Sequence, residues 1–109
     1  MDAREERLAR NETIFRDVNE RIEEAASAQA IDRHVFEFIC ECSNIDCALR
    51  LPLTLAVYEH VREDPTQFIV APGHGLPDIE EVVVRGEGYE VVRKAGPAAE
   101  VAEERDPRS

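Results

Sequence analysis

All three cysteines of this 109-residue chain fall within the eight residues Cys40-Glu41-Cys42-Ser43-Asn44-Ile45-Asp46-Cys47. A fold that gathers its thiols so tightly must give them one shared environment. Phe36-Glu37-Phe38-Ile39-Cys40 is rich in aromatic and β-branched residues and reads as a strand. Side chains along a strand point the same way every second residue, so a strand carried through Cys42 puts Cys40 and Cys42 on one face. Ser43-Asn44-Ile45-Asp46 supplies turn chemistry that returns Cys47 over the same point. Three sulfurs delivered to one place are most of a tetrahedral zinc site.

His74, in Pro72-Gly73-His74-Gly75, is the expected fourth ligand, because glycine on both sides lets the backbone bend towards an ion. His34 and His60 read as surface or capping side chains. Asp46 and Asp78 offer oxygen, but sites built on thiolates usually finish with cysteine or histidine. The expected metal ligands are therefore Cys40, Cys42, Cys47 and His74, holding zinc, with an iron–sulfur cluster as the alternative cofactor. A disulfide reading leaves one cysteine over. A redox or free-thiol cluster and incidental core cysteines are the competing readings. Residues 1–30 are charged, without a continuous apolar run, so a reducing, cytoplasmic location is expected.

Formal net charge is −11, which argues against a phosphate backbone or an anionic membrane surface as partner. No apolar run is long enough to span a bilayer. The length suits one domain with a modest core. It divides into an amphipathic N-terminal helix (residues 1–30), an α+β core carrying the knuckle (31–96) and a short C-terminal tail (97–109).

Within the first part, residues 2–28 read as one helix. Leu8, Phe15, Val18, Ile22 and Ala25 recur at helical spacing, and Ile14 widens the stripe. Glu5 and Glu6 lie early, where negative charge suits the macrodipole. Asn11 is a polar position in the same register, and Gln29 ends the seam. The stripe either docks on the chain's own sheet or meets a partner. A helix of this length outreaches a domain of this size, so a homodimer or protein partner is expected through Leu8 and Phe15.

A connector follows at residues 29–33, with Asp32 as its turn residue. Val35 to Cys40 is the first strand, and Ala48 to Leu53 returns as a second whose ladder ends at Pro52. Thr54 reads as a helix N-cap, with Leu53 and Tyr58 as a hydrophobic staple. That helix ends before Asp64-Pro65. Gln67 to Ala71 is a strand leading into the His74 loop. Glu81–Arg85 and Tyr89–Arg93 flank Gly86-Glu87-Gly88 as a hairpin that joins it. Ala98 to Glu104 forms one or two helical turns, and Asp106 to Ser109 is expected to fray. The fold class is α+β: a long N-terminal helix, a small antiparallel sheet of four or five strands, one short central helix and a metal knuckle.

No phosphate loop, dinucleotide fingerprint or nucleophile elbow is present, so no enzymatic activity is assigned. Cys47 with His74 is conceivable as a nucleophile pair, yet clustered thiols more naturally share an ion. Glu41 can be read as a general base beside a metal-bound water, but a solvated strand residue is the preferred reading. Four protein ligands leave no open position.

Phe38-Ile39-Cys40-Glu41-Cys42, Cys47, Pro52-Leu53-Thr54, Tyr58, Val61-Arg62, Asp64-Pro65, Phe68 and Ala71-Pro72-Gly73-His74 resemble a family of small uncharacterised bacterial proteins frequent in actinobacteria. The likeness continues at Arg10-Asn11-Glu12, Phe15-Arg16 and Val18-Asn19-Glu20-Arg21. It implies a bacterial cytoplasmic protein with the knuckle and the Pro-Gly-His loop as its signature, and it adds no mechanism. Ser43-Asn44 stands here where a glycine is commoner, which alters the turn and removes no ligand. The function expected is a structural zinc site in a binding or regulatory module, with a thiol-based redox or metal sensor as the alternative.

Overall fold

The structure, a computed structural model, describes residues 3–28, 34–44 and 46–108. The connector expected at 29–33, the seam end at Gln29, Ile45 and Ser109 lie outside the described residues. In order come α1 (Ala3–Ser27), β1 (Val35–Ile39), β2 (Arg50–Thr54), α2 (Leu55–Val61), β3 (Gln67–Val70), β4 (Glu80–Arg85), β5 (Glu90–Lys94) and α3 (Pro97–Glu104). The class is α+β, with a long N-terminal helix and antiparallel strands throughout.

The five strands form two sheets rather than the single one expected: β1–β2, and β3–β5–β4. The knuckle stitches them together. Cys40 N–H donates to Leu49 O at 3.0 Å, and the next residue, Glu41, donates to Ile69 O at 2.8 Å. Successive N–H groups of an extended segment point to opposite edges, so two residues reach both sheets. This is why β1 ends at Ile39 instead of running on through Cys42.

Two further expectations change in detail. β2 passes through Pro52 to Thr54, with Pro52 opposite Glu37. Both strands of a two-stranded sheet have an outer edge, where a missing donor costs no ladder bond. The hairpin joins β3 through β5, as expected, with a register shift between Val82 and Val84. The Tyr89 ring lies over Gly86 at its turn, where a Cβ would come within 2.2 Å of it and force the ring to move.

The Thr54 cap forms: its Oγ1 accepts Val57 N–H at 3.3 Å. Tyr58 on α2 stacks on Phe38 with ring centroids 4.4 Å apart. These rings join Leu51, Leu53, Val61, Phe68, Ile69, Val91 and Val92 in one core that also contains Cys40 and Cys42.

α1 docks with a face that hydrophobicity marks only in part: of the expected stripe, Phe15 is buried, Ile22 packs against the core and Leu8 is half-buried. Phe15 and Ala26 are buried, but Ile14 and Val18 are 45% and 38% exposed, and Ala25 is exposed as well. Between the apolar positions, Glu12, Arg16, Asn19 and Glu20 are buried. The reason is that α1 covers backbone groups that no strand pairs. Arg16 donates to Pro65 O at 2.9 Å and to Gln67 O, and lies 3.6 Å over the Phe68 ring. A helix of 25 residues spans about 38 Å, close to the molecule's longest dimension of 42 Å.

α3 packs against α1 and β5. The residues after it are tied down, contrary to the expected fraying. Arg62, buried, bonds Glu20 Oε1 at 2.7 Å and Asp106. Arg108 bonds the same Glu20 oxygen at 2.7 Å and both oxygens of Glu59 at 2.8 and 3.0 Å. Charge pairing across 44 to 88 residues of sequence is invisible to a local reading of the tail.

Candidate metal centre

Three separate backbone segments meet at the knuckle. The extended stretch after β1 presents Cys40 and Cys42 on one side and sends Glu41 to the other. Asn44 then shapes the turn: its Oδ1 accepts Asp46 N–H at 3.0 Å, and its carbonyl accepts Cys47 N–H at 3.0 Å. This local bonding is what asparagine brings to a turn. The third segment follows β3. Gly73 has φ +84°, a left-handed conformation that side chains disfavour, and His74 N–H closes the turn onto Ala71 O at 3.0 Å.

These turns bring the ligand atoms of Cys40, Cys42, Cys47 and His74 within 4.8 Å of one another. His74 Nδ1 lies 3.7 Å from Cys40 Sγ and 3.8 Å from Cys47 Sγ. Ligands about 2.0–2.3 Å from a tetrahedral zinc sit about 3.5–3.8 Å apart. The group therefore has the size, the donor types and the number needed to hold a metal ion.

The surroundings favour thiolates once a cation is present. Ala71 N–H donates to Cys40 Sγ at 3.1 Å. Burial alone works the other way. It pushes the Cys40 thiol up to about 12 and raises Cys42 as well. Without a cation the buried thiols keep their protons, so metal binding must displace them. Cys47 is half-buried and is the most exposed of the three cysteine residues.

Other side chains weighed as ligands stay away. His60 is exposed and pairs with Glu63 at 3.2 Å, and His34 lies edge-on to Phe36. Asp78 pairs with Arg4 at 3.9 Å. Among the described residues the convergent ligand group contains neither Asp46 nor Asp78.

Glu41 is neither solvated nor placed as a general base. It is fully buried, accepting Asn19 Nδ2 at 3.0 Å and Ile69 N–H at 3.0 Å. Its carboxyl is raised by burial, against the pull of Arg16. Asn11 Nδ2 donates to Ser43 O at 2.7 Å, on the other side of Cys42. Sequence reasoning did not find Asn19 or Glu41 as supports of the knuckle. The available signal was the recurrence of Glu12, Arg16, Asn19 and Glu20 at helical spacing beside Phe15.

Comparison with protein-family models, with curated proteins and with solved structures returns no match. Among the described residues, no helix is long and apolar enough to cross a membrane.

Proposed function

We propose that this chain is a small zinc-binding module in which Cys40, Cys42, Cys47 and His74 hold one ion in a closed, structural site. The observation that carries the reading is the convergence of those four ligand atoms within 4.8 Å from three backbone segments. Thiolate and imidazole donors in a tetrahedral arrangement suit zinc, and four protein ligands leave no position for substrate water. The ion would tie the knuckle to the Pro-Gly-His loop across the junction of the two sheets. Free thiols of this kind fit a reducing cytoplasm.

The module is read as non-enzymatic, offering a recognition surface. Phe15, expected with Leu8 to meet a partner, is buried against the domain instead and Leu8 is half-buried, so Ile14 and Val18 on the outer face of α1 are offered as the side chains open to a protein partner or a second copy. The half-exposed Cys47 supports the second reading, a redox or metal sensor in which oxidation at that sulfur releases the ion.

Metal analysis and native mass spectrometry of the purified chain test the central claim. One zinc per chain, lost in Cys40→Ser, is expected. A colourless sample separates zinc from an iron–sulfur cluster. Metal-free protein at full stability with three freely titrating thiols would refute both. Rapid zinc loss under mild peroxide, reversed by thiol, selects the sensor reading.

A further inference from the structure

A second site lies away from the cysteines, where α1, β3, β5 and α3 meet. A cavity of about 320 Å³ opens there. Its walls are mostly apolar, with Phe68, Ile79 and Val101 providing the larger surfaces. Glu12 and Lys94 form its charged floor. Lys94 is buried, and its ammonium is shared between two buried carboxylates, Glu12 and Glu80. Glu80 faces Lys94 directly across the β4–β5 ladder, and its other oxygen accepts Leu76 N–H at 2.6 Å. Among the described residues, Glu12 pairs with Lys94 alone.

Lys94 touches both carboxylates, and Arg16, the other cation acting on Glu12, is drawn to buried Glu41 as well. Three buried carboxylates, Glu12, Glu80 and Glu41, against the two cations Lys94 and Arg16 leave a net negative charge out of water, and an unpaired buried ion is costly. Burial accordingly pushes the Glu12 carboxyl up to about 7, despite the opposing pull of Lys94. Glu12, unlike Glu80, lines the cavity. A cation entering from the cavity would reach the one member of the cluster that lacks a second partner.

We propose that this cavity binds a small organic amine, with its ammonium against the Glu12 carboxylate and its apolar body against Phe68, Ile79 and Val101. The same count disfavours an organic anion, which would add a further negative group where Glu12, Glu80 and Glu41 already outnumber Lys94 and Arg16. A bare metal ion is disfavoured for another reason. Among the described residues the convergent metal-ligand group is the cysteine–histidine cluster, and the cavity's remaining carboxylate, Asp78, is turned to Arg4. The apolar walls select an amine with a hydrocarbon body over a small, strongly hydrated ion.

Three probes of similar shape and different charge test this on the full ¹⁵N-labelled chain: benzylamine, benzyl alcohol and benzoate. Benzylamine should shift the amides of Thr13, Ile79, Ala95 and Val101 saturably. Benzyl alcohol should bind about tenfold more weakly or worse, and benzoate should leave those amides in place. Glu12→Gln should weaken benzylamine by about tenfold or more. Ala98→Leu, which fills the cavity from α3, should abolish the shifts while Glu12 remains. Equal binding of alcohol and amine would show an apolar cavity only, and the proposal would fall. Shifts scattered over the acidic surface without saturation would also overturn it, as simple attraction to a chain of net charge −11. If Glu12→Gln does not fold, undiminished benzylamine binding by Ala98→Leu is enough to reject the site.

Discussion

The side-chain amide of Asn19 grips the peptide groups of Ile39 on both sides: its Oδ1 accepts Ile39 N–H at 2.8 Å and its Nδ2 donates to Ile39 O at 2.9 Å. Ile39 immediately precedes Cys40. The same Nδ2 reaches Glu41, whose other oxygen accepts Ile69 N–H. Helix α1 thus holds the knuckle strand on either side of its first sulfur, through polar atoms. Asn19→Leu leaves a buried donor, a buried acceptor and the Glu41 carboxylate short of partners. It should cost about 3 kcal/mol in urea unfolding. If the cluster holds zinc, affinity should also fall by about 10- to 100-fold, the usual effect of loosening a ligand's support. Wild-type values on both measurements would show that α1 does not position the site.

Accessibility orders the thiols. Cys47 is half-buried, whereas Cys40 and Cys42 are 1% and 5% exposed. After chelator treatment, a maleimide reagent should label Cys47 first, and the other two only as the chain opens. If the cluster holds a metal ion, that ion should protect all three, and its removal should lower the unfolding temperature markedly, since binding to a structural zinc site is worth on the order of 10 kcal/mol. Equal labelling rates for the three thiols in folded protein would contradict the burial seen here.

The knuckle and its histidine were legible because their chemistry is local. Period-two alternation put Cys40 and Cys42 on one face, and Asn44 and Gly73 announced the two turns. The Thr54 cap and the Gly86–Gly88 hairpin were readable for the same reason. The docking face of α1 was legible only at Phe15 and Ile22. A hydrophobic-stripe reading gives Ile14 and Val18 weight and discounts Glu12, Arg16, Asn19 and Glu20. Those polar residues are buried because their partners are backbone groups and charges 20 to 88 positions away. Nothing in a one-dimensional pattern encodes such partners. The division into two sheets was hidden likewise, since it depends on Glu41 N–H turning to Ile69.

The C-terminal residues make a second long-range test. Asp106 and Arg108 complete the network around buried Arg62 and Glu20. Truncation after Arg105 leaves Arg62 with Glu20 and removes the second cation from Glu20. A loss of about 2 kcal/mol is expected, from charge-assisted bonds in a partly buried setting. A frayed tail would instead be removable without change in the urea midpoint.

Glu12 gives the stability profile a sign. Its ordinary value is 4.5, and burial holds it at about 7 in the folded chain, with Lys94 pulling the other way. Between those values the folded chain keeps a proton that the unfolded chain has lost. The Glu12 contribution is therefore fully present below pH 4.5 and is lost as pH rises towards 7. The change is on the order of 3 kcal/mol. Glu12→Gln should flatten that part of the profile, read from urea midpoints across the window. A wild-type slope of opposite sign that Glu12→Gln abolishes would show the carboxyl to be depressed instead.

The two faces of α1 should answer differently to mutation. Phe15 is buried against the domain, and Phe15→Ala should cost about 3 kcal/mol or more. Ile14 and Val18 lie on the outer face, where Ile14→Ser with Val18→Ser should change stability by only about 0.5 kcal/mol. Any self-association should be lost in that double variant while the fold and the cysteine cluster persist. Light scattering and a urea curve on the same samples separate the two effects. Deleting residues 1–24 is a harsher test with a different expected result. It removes Arg16 from Pro65 and Phe68, Asn19 from Ile39, and Glu20 from Arg62. The remaining chain should unfold and lose any bound metal, because the knuckle's own backbone would then be left without its partners. A truncated chain that stays folded with its thiols protected would show that α1 is an appendage, and that its buried polar face contributes little to the domain.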